Sequence, residues 1–84
     1  MKYRLLVDME VFDFLQTLKP ALRKRLVAHF RRIQNYPEQY AEYVERDPAG
    51  RMIEACVFEN FAIHYWEDFT DRHVKILSVL PADG

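Results

Sequence analysis

The stretch FENFAIHYWEDFTDRHVKILSVL, residues 58–80, decides the fold. Two runs of alternating side chains flank a polar centre, Asp68-Phe69-Thr70-Asp71, a pattern that predicts two strands joined by a tight turn. With Asp68–Asp71 as the turn, Trp66 falls opposite His73, His64 opposite Lys75 and Ala62 opposite Leu77. One face then carries Phe61, Ile63, Tyr65, Val74 and Ile76, apolar enough to pack beneath helices. The other carries Ala62, His64, Trp66, His73, Lys75 and Leu77, a mixture of aromatic, cationic and titratable groups. Successive side chains of a strand point to opposite sides, so an antiparallel sheet with one covered face sorts its residues in this way.

Working back from this hairpin, Glu59-Asn60 reads as a short turn and Arg51 to Phe58 as the strand before it. Asp47-Pro48-Ala49-Gly50 has the composition of a tight turn, and Tyr43-Val44-Glu45-Arg46 is the strand preceding that. Strands joined by short turns are normally antiparallel neighbours, so the C-terminal half is expected to be a meander. Upstream the period changes. Leu22, Leu26, Phe30 and Ile33 form an apolar stripe along a helix from Pro20 to Asn35, with Val27 and His29 beside it. Pro20 suits the first turn of that helix, and Lys19-Pro20 ends the one before it. The first helix carries Val11, Phe12, Leu15 and Leu18, widened by Phe14, with Asp8 as its N-cap. Two helices joined by almost no linker are expected to form an antiparallel hairpin. Lys2 to Val7 reads as an opening strand. The fold class expected is α+β, in the order β-α-α-β-β-β(-β).

Composition sets the limits. Eighty-four residues suffice for one domain, 1–84, and half of them are hydrophobic. The lone Cys56 can form no internal disulfide and reads as a small buried hydrophobe. There is no signal peptide and no apolar run of spanning length, so a cytoplasmic protein with no membrane association is expected. Eight of the twelve Lys and Arg lie in residues 1–36, with only three acids, whereas residues 37–84 are strongly acidic. Such asymmetry marks a polyanion-binding face or an oppositely charged partner, or simply basic helices set against an acidic sheet.

The order of elements and several local motifs resemble the RelE/ParE family of bacterial toxins over nearly the whole chain. The resemblance rests on Phe12-x-x-Leu15-x-x-Leu18-x-Pro20, then the basic helix with Leu26, Phe30 and Ile33. It continues through Asp47-Pro48-Ala49-Gly50-Arg51, the segment Phe58–Tyr65 and the strand Val74–Leu80. It implies the toxin component of a type II toxin–antitoxin module, neutralised by a cognate antitoxin. The target it implies is ribosome-bound mRNA, cut by a ribosome-dependent endoribonuclease, or DNA gyrase. A non-catalytic interaction module that keeps the fold is the further alternative. Three departures count against cleavage. Ala62 stands where the family usually places a strand arginine, the C-terminus Leu80-Pro81-Ala82-Asp83-Gly84 has no basic or aromatic tail, and the pI near 6.3 is low for an rRNA-docking protein.

The candidate catalytic residues are His64, His73, Arg51 and Glu54. Imidazoles titrating near neutral pH suit proton transfer, and Arg51 and Glu54 lie close to positions where the family carries active groups. The plainer reading, and the favoured one, is that each is an exposed polar residue of an antiparallel sheet. Lys75 and Trp66 are candidates for phosphate contact and for stacking on a base or anchoring a partner. The run Arg23-Lys24-Arg25 with Arg31-Arg32 could grip phosphates or an acidic antitoxin, or be a solvated helix face. A zinc site from His64, His73 and Glu54 has no short ligand spacing behind it, so no metal or other cofactor is expected. An exposed aromatic face calls for a partner, and a homodimer would cover it as well as an antitoxin.

Overall fold

The computed structural model describes residues 3–82. Lys2 of the expected opening strand and the terminal Asp83 and Gly84 lie outside the described residues. The elements run β1 (Arg4–Val7), α1 (Met9–Gln16), α2 (Pro20–Asn35), α3 (Pro37–Tyr40), β2 (Tyr43–Arg46), β3 (Met52–Phe58), β4 (Phe61–Asp68) and β5 (His73–Pro81). The five strands form one sheet in the order β1-β5-β4-β3-β2. Only β1 and β5 pair in parallel; the other three pairings are antiparallel. The architecture is therefore α+β, with α1 and α2 laid against one face of the sheet.

Local chemistry explains the boundaries. Asp8 caps α1 by accepting a hydrogen bond from the Glu10 amide at 3.0 Å, and the Thr17 hydroxyl closes its end by donating to the Phe14 carbonyl at 2.7 Å. Pro20 opens α2, where its missing N–H costs nothing. Glu59 and Asn60 both take positive φ, 53° and 67°, the conformation of a two-residue hairpin turn whose twist matches its strands. Gly50 has φ +86° and donates its amide to the Asp47 carbonyl, closing the β2–β3 turn. The short helix α3 has no counterpart in the expected order. It places the Pro37 carbonyl where the buried Tyr65 hydroxyl donates to it at 2.6 Å.

The core lies between helices and sheet. Leu26, Phe30 and Ile33 of α2 meet Ile63, Tyr65, Val74 and Ile76 of the central hairpin, with Val11 and Leu15 of α1 alongside. Phe12 departs from the expected stripe and is half exposed. Val11 and Leu15, one turn apart, already fill the buried face, and Phe12 lies about 100° round from Val11.

The faces of the β4–β5 hairpin are as expected up to Ile76, but the pairing is not, and beyond Ile76 Ser78 and Leu80 take the open-face places that alternation gave to Leu77. Trp66 pairs with Lys75, Asp68 with His73, His64 with Ser78 and Ala62 with Leu80. Asp68 remains in the strand because its Oδ1 accepts from the Thr70 and Asp71 amides, so the turn occupies residues 69–72 and Arg72 closes it at φ 55°. Moving a four-residue turn by one position shifts every partner by two, which preserves the faces. A β-bulge then skips Leu77, since Tyr65 pairs with Ile76 and His64 with Ser78.

Phe30→Ala should lower stability by about 3–5 kcal/mol through the cavity it leaves. Tyr65→Phe should cost about 1–3 kcal/mol by leaving the Pro37 carbonyl without its donor. Urea unfolding of the two variants checks both.

Candidate functional site on the open sheet face

Strand parity and register place the open face residue by residue. Tyr43, Ala55, His64 and Ser78 lie in line across β2, β3, β4 and β5. Leu6, Lys75 and Trp66 make the next line, and Arg4, His73 and Asp68 the one after. His64 and His73 are thus four residues apart along β4, about 13 Å. They cannot serve as base and acid on one phosphate group. At the other end, Ala62 sits between Val57 and Leu80 in an apolar corner.

The middle of the face holds the densest chemistry. The Arg51 guanidinium carbon lies 4.9 Å from the Trp66 ring centroid, and the His73 ring meets Trp66 edge-on at 6.2 Å. Asp47 fixes Arg51, accepting from its amide at 2.8 Å and from its Nε at 2.7 Å. Those hydrogen bonds, led by the backbone one, hold the Asp47 carboxyl below the usual carboxylate range. Lys75 stands beside Trp66 as its register partner. Arg51, Trp66 and Lys75 therefore form a cationic and aromatic row, with His73 at its edge. His64 keeps separate company, its ring 6.3 Å from that of Tyr43, and its buried Nδ1 has no hydrogen-bond partner.

Glu54 does not belong to this face. Its strand partner is Tyr65, whose ring is buried under the helices, so Glu54 lies on the helix side. The zinc trio of His64, His73 and Glu54 is therefore not assembled. Glu54 instead faces Glu67, which strand parity aligns with Ile63 and Tyr65 and which is only 8% exposed. Burial first, then hydrogen bonding and charge repulsion from Glu67, and finally the charge of Glu38, push the Glu54 carboxyl up to about 8. A cavity of about 480 Å³ at the rim of the sheet is lined by these three acids together with Trp66 and Phe69. Glu67 was not singled out in the sequence, although its parity with Tyr65 is the signal that places it inside.

The basic run of α2 is on the far side of the sheet from Trp66 and Lys75. Lys24, Arg25, Arg31 and Arg32 are exposed on the helix layer, with Arg23 half-buried among them. Arg25 is committed to Glu59 at 2.7 Å, and Arg31 donates to Gln34. The expected phosphate or partner contacts thus divide between two surfaces. His29 is buried in α2, stacked on Phe58 at 4.2 Å and 3.8 Å from Cys56 Sγ, and burial lowers its pKa. Burial likewise pushes the Cys56 thiol up to about 11, far from a reactive thiolate. No helix among the described residues is long and apolar enough to cross a membrane.

Solved structures carry the same arrangement of strands and helices. A chain of the archaeal RelE–RelB complex from Pyrococcus horikoshii superposes with a TM-score of 0.80 at 20% identity, covering 99% of this chain and 98% of that one. A chain of a RelBE toxin–antitoxin complex from Mycobacterium tuberculosis gives 0.78 at 18% identity, covering 96% and 99%. The fold is that of the RelE toxins. Free RelE of Escherichia coli, in a doubly substituted mutant form, gives 0.71 at 15% identity, covering 99% of this chain and 86% of that one. No family model and no curated protein matches the sequence.

The Glu54–Glu67 pair gives a pH signature. A carboxyl whose pKa rises on folding contributes stability that is whole below its unfolded value near 4.5 and is lost as pH climbs through about 8. The melting temperature should therefore fall from about pH 5 to about pH 8 and level off above. Glu54→Gln, which mimics the protonated form, should flatten that fall and melt higher than the parent at pH 8.5. Thermal melts across this range, monitored by circular dichroism, check it.

Proposed function

We propose that this protein is the toxin of a toxin–antitoxin pair and that it works by holding single-stranded RNA on the open face of its sheet. The observation that carries the reading is the Arg51–Trp66–Lys75 row on a RelE fold. An indole face stacks on any nucleobase, and flanking cations take the adjoining phosphates, which suits a single strand whose bases are splayed out. Two of the structural neighbours are toxin–antitoxin complexes, which supports a cognate antitoxin as the cellular partner. The exposed cations of α2 offer an acidic antitoxin segment a surface distinct from the RNA row.

Cleavage of ribosome-bound mRNA is a second reading, favoured by His73 beside Trp66. Its Nε2 stands 3.7 Å from Asp68, whose carboxylate would stabilise a protonated imidazole, while Arg51 and Lys75 would meet the charge that develops on the phosphate. His64 takes no part in that reading, being about 13 Å away along the strand.

Induced expression should arrest bacterial growth, and co-expression of an antitoxin encoded by an adjacent reading frame should relieve the arrest. Trp66→Ala should weaken binding to a single-stranded oligoribonucleotide by roughly 5- to 150-fold, the value of one stacked base, and Lys75→Ala should reduce the salt dependence by about one ion. Full arrest by the Trp66→Ala, Lys75→Ala double variant would contradict the reading. Primer extension on mRNA after induction separates the two forms: new 5′ ends that disappear in His73→Ala establish cleavage, and intact mRNA establishes binding alone. Blocked supercoiling by purified DNA gyrase with unaltered translation would replace both.

A further inference from the structure

The turn between β4 and β5 brings together one ligand atom each from Asp68, Asp71 and His73, all within 4.8 Å of one another. We propose that this turn is a binding site for a first-row divalent transition cation such as Zn²⁺ or Ni²⁺. The site shares His73 with the edge of the proposed RNA row, but the inference does not depend on the RNA reading.

Two carboxylates alone would carry no such inference, and His73 is what makes the difference. Its side chain is nine-tenths buried, and neither ring nitrogen makes a hydrogen bond. Nδ1 is enclosed without a partner, while Nε2 faces Asp68 Oδ2 at 3.7 Å, beyond hydrogen-bond range. A polar ring buried at the cost of its hydration normally finds a partner, and here the group it faces is a carboxylate oxygen at the spacing of two ligands on one ion. Ligands about 2.1 Å from a common metal lie about 3–4.2 Å apart. The trio therefore needs to close by up to about 1.4 Å to reach the roughly 3.4 Å spacing of a tetrahedral site, and the exposed Asp71 side chain can rotate to do so.

The turn itself prepares Asp68 for the role. Its Oδ1 is engaged by the Thr70 and Asp71 amides, so the carboxylate is oriented and Oδ2 is left directed at His73. One imidazole nitrogen with two carboxylate oxygens suits borderline transition ions better than Mg²⁺, which prefers oxygen ligands and retained water. Three protein ligands leave positions for solvent, as in open rather than closed sites. Binding at Nε2 keeps the proton on Nδ1, which has no oxygen acceptor, so micromolar rather than nanomolar affinity is expected. The ligands fall at i, i+3 and i+5, a spacing that matches no short metal motif, which is why the sequence does not announce them.

Isothermal titration of the untagged, full-length chain with Zn²⁺ and with Ni²⁺ tests the site, with Mg²⁺ as the comparison ion. One equivalent of Zn²⁺ or Ni²⁺ should bind and raise the melting temperature, with Mg²⁺ much weaker. Asp71→Asn should weaken binding by at least the roughly 10- to 100-fold that loss of an outer-shell partner costs. Asp68→Asn should do the same while keeping the Oδ1 acceptor that the turn needs. Histidine ring resonances of the wild type should shift at His73 and stay put at His64. Absence of binding by the wild type, or affinity unchanged from the wild type in Asp71→Asn and Asp68→Asn, would overturn the proposal, as would a shift confined to His64.

Discussion

Ile63 and Tyr65 of β4 and Val74 and Ile76 of β5 have no accessible surface at all, and they lie beneath Leu26, Phe30 and Ile33 of α2. Full burial of one such side chain is worth about 1.5–3 kcal/mol, so a slip that turned all four outward would cost most of the stability of a domain this size. Every residue of the open face is placed by that constraint. Trp66, Lys75 and His73 face outward because their neighbours must face inward, and β1 joins β5 in parallel so that Leu5 and Val7 add to the same buried layer.

Burial fixes parity, not partners, and this separates what was legible in the sequence from what was not. Alternation named the faces of the hairpin correctly as far as the bulge, from Ile63 and Tyr65 on one side to His64 and Trp66 on the other, and failed at Leu77. It was blind to a shift of two residues, which leaves each face unchanged. The position of the turn depended instead on two hydrogen bonds to Asp68 Oδ1, and the bulge at Leu77 on local packing that no period records. Asp8 and Pro20 declared their helix starts, because capping chemistry is local. Glu54 was misplaced for the opposite reason. A charged residue reads as outward-facing, yet parity with Cys56 puts it on the helix side, beside Glu67.

The two surfaces of the molecule therefore have different electrostatic characters. On the helix side the rim concentrates Glu38, Glu54 and Glu67, where burial first and the neighbouring Glu67 second push the Glu54 carboxyl up to about 8. On the open side Arg51 is anchored by Asp47 and spread over Trp66, with Lys75 next to it. The cations of α2 form a third region, on the outside of the helix layer. A chain with a net charge of −1 can thus present a local positive strip to a polyanion, because neutral overall balance conceals this segregation.

The proposed reading puts RNA on the middle of the open face and leaves the cations of α2 to the antitoxin. Amide and indole chemical-shift mapping with a short single-stranded oligoribonucleotide tests this most directly. The account predicts that the Trp66 indole and the amides of Arg51, Lys75 and His73 shift in a saturable, salt-sensitive manner while those of Arg31 and Arg32 do not. Shifts confined to α2, with the Trp66 indole unmoved, would contradict it.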